Sequence, residues 1–325
     1  VGSEMCIRDS MTSELPAASP SPEAGRAVRH ALGWMVVSCM LFAIVMVAVR
    51  MLLHDLPPTQ TAFLRYVVGV GLLMPFVGRQ IPQIWRSPAR GGFLARGILH
   101  AIAVSFWFYS IKVIPLADVN AILNLGPVWA TIGAALFLGE RLRLRRIMAI
   151  LVSFAGAMII IKPGFSDIVP GTWAVMVTAA FFAFSDLIAK QLKARHDDNL
   201  IIMALSVTIA LVSLPLAIVF WQPISPLNWL GVFVIGLAAT LGHMSLMRSF
   251  AGPMWAAQAG KYVQLLFVIL FGITLFDEIP TLSTLAGAMV VLSAVTYIAM
   301  REGRRREDDG MAESSQADEE RQGSR

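Results

Sequence analysis

The chain has little of what a water-soluble domain needs. Charged residues make up 14% of its 325 positions, against roughly 25% in an ordinary soluble domain, and they crowd toward the ends. Between residues 31 and 300 only 26 Asp, Glu, Lys or Arg occur, which, with a mean hydropathy of +0.69, excludes a soluble enzyme. Its two cysteines, Cys6 and Cys39, exclude a disulfide framework, and no Cys/His spacing fits a metal site. No Walker sequence, glycine-rich dinucleotide loop or H-E-x-x-H is present, so ATP does not drive the protein directly and metal-assisted hydrolysis is not expected. The net charge of +5 and pI near 9.6 do not indicate nucleic acid, because the basic residues sit in short clusters between apolar stretches and not on one face.

What the sequence does have is long apolar runs. A helix that crosses a bilayer needs about 20 mostly apolar residues, and ten segments qualify: 31–53, 58–77, 92–113, 116–139, 145–162, 171–192, 199–220, 227–248, 254–276 and 280–300. The runs are continuous where a barrel strand would alternate, so helices satisfy the backbone in lipid and a β-barrel is excluded. Residues 1–30 read as a disordered tail, of which 1–10, before Met11, look non-native. Residues 301–325, rich in Arg, Glu, Asp and Ser, read as a second disordered tail.

Lys and Arg then set the orientation. Arg26 and Arg29 precede the first span. Arg79, Arg86 and Arg90 follow the second, Arg141, Arg143, Arg145 and Arg146 the fourth, and Lys190, Lys193 and Arg195 the sixth. Arg248 ends the eighth, and Arg301, Arg304, Arg305 and Arg306 follow the tenth, while the alternate loops carry only Lys112 and Lys162. Both termini are expected in the cytoplasm.

The sequence also resembles itself. At an offset of 138, Glu140 falls on Glu278, Val152 on Val290, Ile160 on Ile298, Asn120 on Gln258 and Asn124 on Tyr262. At 140, Phe42-Ala43 falls on Phe182-Ala183, Arg50 on Lys190 and Pro75 on Pro215. Residues 31–162 thus read as one five-helix repeat and 171–300 as its second copy. Five is odd, so the second copy enters the membrane inverted, the construction of secondary transporters, whose substrate site lies near the midplane between the copies. The expected fold is an all-α integral membrane protein of ten transmembrane helices in two inverted five-helix repeats.

Arg65 in the second span, Pro127, the run Leu138-Gly139-Glu140-Arg141, Gly156, and a second Glu278 followed by Gly287 together resemble the EamA family of the drug/metabolite transporter superfamily over residues 31 to about 300. The second copy departs in having Asp277 where the first has Gly139, and no proline at the position of Pro127. The resemblance implies a metabolite transporter of the inner membrane that works by alternating access, with substrates ranging from amino acids to nucleoside derivatives and vitamins.

Ionisable groups near the bilayer centre cost roughly 2.5–3.5 kcal/mol each, and five stand well inside spans: Arg65, His100, Asp186, His243 and Lys261. Lys261 has Gln258 at i−3 and Tyr262 beside it. It either holds a carboxylate or phosphate as a point charge or snorkels to the cytoplasm. Asp186 either pairs with Lys190 at i+4 or serves coupling. His100 and His243, on equivalent spans, either make polar helix contacts or join the site. For Arg65 the resemblance, which carries an arginine here across varied substrates, implies a structural or gating role. The equivalent pairs Asn120/Gln258 and Asn124/Tyr262 make two polar faces on one path, and Trp107 is either a belt residue or a stacking wall. The expected substrate-binding residues are therefore Asn120, Asn124, Gln258, Lys261, Tyr262, Trp107 and His243, and the coupling or gating residues Asp186, His100 and Arg65. No catalytic residue, cofactor or metal is expected. The partners are a small amphipathic metabolite and the lipid bilayer, with a homodimer left open. The alternative is a membrane-embedded enzyme or receptor using the same Lys, His and Asp. Glu140 and Glu278 are expected to pin the connections after their spans, Glu278 with no basic neighbour in sequence.

Overall fold

In a computed structural model of the chain, residues 22–126, 128–129, 132–133, 144–161, 169–193, 195–249, 260–294 and 296–297 are described, and every element among them is helical. In chain order these are α1 (Pro22–Leu52), α2 (Pro58–Val77), a 3-10 turn at Gly78–Gln80, α3 (Ile81–Arg86), α4 (Arg90–Val113), α5 (Leu116–Leu123), α6 (Leu144–Ile161), α7 (Pro170–Lys193), α8 (Asp198–Val219), α9 (Pro226–Ser249) and α10 (Val263–Phe276), with α11 at Leu282–Ala294. Proline stands first in α1, α2, α7 and α9, where its missing N–H costs nothing and its fixed φ favours the helix. Six stretches, Arg29–Leu52, Pro58–Arg86, Arg90–Val113, Pro170–Lys193, Asp198–Val219 and Pro226–Ser249, are long and apolar enough to cross a membrane. At about 1.5 Å per residue each matches or exceeds the ~30 Å hydrocarbon core. Three shorter apolar helices, Ile147–Ile160, Val263–Phe276 and Leu282–Ala294, accompany them.

One boundary differs from the sequence expectation. Residues 22–30, expected as part of the tail, are the first turns of α1. Glu23, Ala24, Arg26 and Ala27 are adequate helix formers, and an apolar span below them supplies the helix on which they continue.

The main packing partners are α1 with α9 and α10, α4 with α7 and α8, α2 with α8 and α9, and α5 with α7 and α10. Exchanging α1, α2, α4 and α5 for α7, α8, α9 and α10 in that order returns these pairings, while the further contact of α2 with α4 has only a weak counterpart in α8 with α9. Single contacts follow the exchange. Ser38 Oγ on α1 donates to the Gly242 carbonyl on α9 at 2.9 Å, and Thr178 Oγ1 on α7, 140 residues on, donates to the Ala103 carbonyl on α4 at 3.1 Å. α2 and α8 each carry a proline inside the helix at matching positions, Pro75 and Pro215.

Glycines bring α6 and α11 to backbone distance. A Cβ on Gly156 would stand 3.0 Å from the Gly287 carbonyl oxygen, and one on Gly287 would stand 2.5 Å from that of Gly156. This is the small-residue packing that membrane helices use where lipid removes the hydrophobic drive between them. The outer faces carry large apolar side chains, Phe76 80% and Leu282 86% exposed, a surface that suits lipid and not water.

Candidate functional site

The path proposed from sequence runs through two places where helices break. Span four starts as α5 and stops at Asn124, its C-cap, whose N–H still reaches the Asn120 carbonyl at 3.2 Å. Asn124 and Leu125 form a turn, and helical backbone resumes at Gly126. In span nine, Gly260 and Lys261 are helical, Tyr262 is a turn residue, and α10 begins at Val263. The two breaks fall on residues 138 apart, the pair matched in the sequence. The Cys39 thiol on α1 faces carbonyls at the second break, those of Gly260 at 3.5 Å and Lys261 at 3.7 Å.

Polar atoms around these breaks are buried without protein partners: Asn120 Oδ1, Asn124 Nδ2 and Trp107 Nε1. Tyr262 Oη points toward Thr296 but meets no hydrogen-bond geometry. A buried polar group left unpaired costs about 1–3 kcal/mol, so such a set marks a place where something else supplies the bonds. Lys261 is half-buried, and Gln264 Nε2 approaches Met46 Sδ at 3.7 Å. Gln258 lies outside the described residues.

Trp107, His100 and His243 come together in one aromatic ladder at the centre. Phe182 of α7 stands between Trp107 and His100 of α4, with ring centroids 6.1 Å and 4.6 Å away. His100 faces His243 of α9 at 6.1 Å, and His243 faces Phe42 of α1 at 5.0 Å. His100 Nδ1 pairs with Ser185 Oγ at 3.1 Å. His243 Nδ1 lies 2.9 Å from the Ala239 carbonyl, an acceptor only, so this nitrogen carries the hydrogen and Nε2 is left for another donor.

Beside His243 lies a small, partly open pocket lined by Arg65, Tyr66, Gly69, Ile202, Leu205, Ser206, Thr240 and His243, between α2, α8 and α9. Arg65 is 5% exposed, and its guanidinium carbon stands 3.9 Å from the centroid of the Tyr66 ring. A second arginine, Arg96 of α4, is 3% exposed, and its Nη1 donates to the Ile201 carbonyl at 3.3 Å. Arg96 is not among the ionisable residues singled out from the sequence. The available signal was its place four residues before His100, on the same helical face. Asp186, expected deep in its span, is exposed instead. It stands within electrostatic reach of Arg96, and Lys190, its expected partner, has no described side chain.

Polar contacts join several helices near Glu278. Arg50 at the end of α1 forms an ion pair with Glu278 at 2.6 Å and donates to the Ile114 carbonyl at 3.2 Å. The other carboxylate oxygen of Glu278 accepts the Leu116 N–H at 3.0 Å, and Thr284 Oγ1 donates to Asp118 at 2.7 Å. Lys112 adds a bond to the Leu56 carbonyl. Glu278 thus has a basic partner, brought by α1 from 228 positions earlier. Glu140 lies outside the described residues.

Residues 30–162 match the EamA-like transporter family. The pseudopaline exporter CntI of Pseudomonas aeruginosa is 29% identical over 80% of this chain and 92% of its own length. The riboflavin transporter of Vibrio cholerae is 26% identical over 84% and 93%, and the S-adenosylmethionine uptake transporter of Rickettsia felis 25% identical over 83% and 92%. A crystal structure 17% identical in sequence covers 87% of this chain and 99% of its own with a TM-score of 0.59, a likeness of fold. Residues 30–162 thus match the EamA-like transporter family model, and the relatives that align along most of the chain are membrane transporters, which fits a multi-pass membrane protein.

Proposed function

We propose that the chain is a secondary transporter that moves a small amphipathic metabolite, an organic anion or zwitterion such as an amino acid or nucleoside derivative, across the inner membrane by alternating access. Ten spans in two inverted repeats, residues 31–162 and 171–300, carry it, with both termini in the cytoplasm. The observation that carries this most is the matched pair of helix breaks at Asn124 and Tyr262, because discontinuous helices at equivalent places in two halves are how transporters build a midplane site. The exchange symmetry of the packing list supports the two repeats, since inverted copies interlock in this reciprocal way. Relatives named for pseudopaline, riboflavin and S-adenosylmethionine support a metabolite class and no single cargo.

In this mechanism Asn120, Asn124, Trp107, Tyr262, Lys261 and Gln258 supply hydrogen bonds and charge to a substrate held between the repeats, and His243 presents Nε2 to it. Asp186, His100 and Arg65 bias the exchange between the two open states. In this reading the contacts around Glu278 hold that end of the bundle shut, and access comes from the opposite end.

The test uses the purified full chain against a panel of amino acids, nucleoside derivatives and vitamins. A substrate at 100 times its Kd stabilises the fold by about 2.7 kcal/mol, seen as a rise in unfolding temperature. The same compound should then exchange across the membrane of proteoliposomes in counterflow. If no stabilising compound exchanges, transport is excluded as its function.

A further inference from the structure

We infer that the cavity between α2, α8 and α9 is an anion subsite, in which Arg65, with Tyr66, Thr240 and His243 around it, holds the carboxylate or phosphate group of a ligand. The inference rests on the transporter reading and adds the place and chemistry of the charged contact, which the sequence had given to Lys261.

A guanidinium taken out of water is costly unless a counter-charge and hydrogen bonds compensate it. Arg65 is almost wholly buried, its Nε has no partner, and its guanidinium makes no ion pair among the described residues, the Tyr66 side chain being its near polar neighbour. The described ion pairs are Arg50–Glu278 and Lys193–Asp198, both elsewhere. The Tyr66 ring under the guanidinium offsets part of the charge as a cation–π contact, yet the Tyr66 hydroxyl, 3% exposed as a residue, is itself without hydrogen-bond geometry.

The charges nearest the pocket are mainly positive, with Asp186 acting on Arg96 alone among them. Arg96 from α4 acts electrostatically on Tyr66 and His100, and Lys261 acts on His243. Among the described residues no Asp or Glu lines the cavity. Two donors unused by the protein, Arg65 Nε and the Tyr66 hydroxyl, suit an anion's oxygens, because an arginine fork meets a carboxylate or phosphate with two bonds. Gly69 keeps the space open, since a Cβ there would stand 3.3 Å from Thr240 Oγ1 and 3.8 Å from Ser206 Oγ. The shared chemistry is an oxyanion, whether it belongs to a soluble metabolite or to an anionic lipid headgroup.

The experiment measures unfolding temperature of the purified full chain in uncharged detergent, titrated with sodium phosphate, sodium acetate or phosphatidylglycerol, with sodium chloride holding ionic strength constant. The expected result is a saturable rise with phosphate or acetate. Its half-saturating concentration should increase roughly tenfold or more in Arg65→Gln, as the loss of a charge-assisted contact implies, and stay within about twofold in Lys193→Gln, which removes an exposed surface cation. A rise with phosphatidylglycerol alone, lost in Arg65→Gln, supports the oxyanion site and assigns it to lipid. No rise with any of the three, or an unchanged half-saturation in Arg65→Gln, overturns the inference. Should the glutamine variant fail to fold, Arg65→Lys decides. It keeps the charge and loses the fork, so a shift of fivefold or more supports the site and an unchanged value overturns it. Binding requires no translocation. A chain that binds these anions but exchanges no metabolite leaves the subsite standing and removes the transporter reading. One that exchanges a metabolite undiminished in Arg65→Gln, with no anion response, does the reverse.

Discussion

His100 and His243 meet ring to ring at the centre of the helix bundle, with centroids 6.1 Å apart, and each is backed by a phenylalanine from the other half of the chain, Phe182 and Phe42. The phenylalanines are 140 residues apart in sequence, so the packing is reciprocal. The hydrogen bonding is not. His100 uses Ser185, a side chain on another helix, while His243 uses a carbonyl of its own helix.

This difference predicts unequal costs for the same substitution. His100→Phe preserves the ring packing but takes from Ser185 its best partner, leaving only the Arg96 carbonyl at 3.5 Å. His243→Phe frees a carbonyl that lies within a continuous helix. The first should be less stable than the second by about 1 kcal/mol, about 2 °C in unfolding temperature for a chain of this size. Equal losses would mean that Ser185 contributes nothing.

Glu278 predicts a gate. Its pair with Arg50 is about one-fifth exposed on each side, between surface pairs worth under ~1 kcal/mol and buried ones worth more. Glu278→Gln removes the charge and keeps the shape, so the end it holds should open more often. Leu116→Cys, at a position with no exposure in this structure, should react with a membrane-impermeant thiol reagent at least roughly fivefold faster when combined with Glu278→Gln, about 1 kcal/mol of population shift. The same rate in both backgrounds would make the pair a mere helix clamp.

Much of this arrangement could be read from the sequence, and what could not has a physical reason. The Asn124/Tyr262 pairing was visible as a match of polar residues at an offset of 138, and the ends of α5 and α10 fall on that pair. Arg50 as the partner of Glu278 was not visible, since α1 and the end of α10 are joined only by folding. Arg96 was hidden because hydropathy places a charge near a span end in the headgroups, whereas packing of α4 against α7 and α8 buries it. Asp186 shows the opposite error. Position along a span gives depth but not the direction of the side chain, and here the side chain is exposed.

Orientation predicts which loops a reagent can reach. In a cysteine-free background, Pro223→Cys, in the exposed α8–α9 connection, should label from outside intact cells, and Arg195→Cys, in the exposed α7–α8 connection, should label only after permeabilisation. Gly171 is a poor probe site for this purpose, because a side chain there would collide with Val113 and Ile114. Labelling of Arg195→Cys in intact cells would reverse the topology.

Asn124 offers the sharpest separation of a binding residue from a structural one. If its amide served the fold, Asn124→Ala would lower stability by the worth of a lost hydrogen bond, about 0.5–1.5 kcal/mol. Its Nδ2 is buried with no partner, so the alanine variant removes a desolvated, unsatisfied donor, and the unfolding temperature of the ligand-free chain should hold or rise. Exchange of a bound metabolite in proteoliposomes should meanwhile fall, with apparent affinity reduced about fivefold to tenfold for one neutral hydrogen bond. The two readouts move in opposite directions only if the amide faces the substrate. A loss of stability with unchanged affinity would return Asn124 to the scaffold, and with it the claim that the helix break at this position exists to present polar groups to a passing molecule.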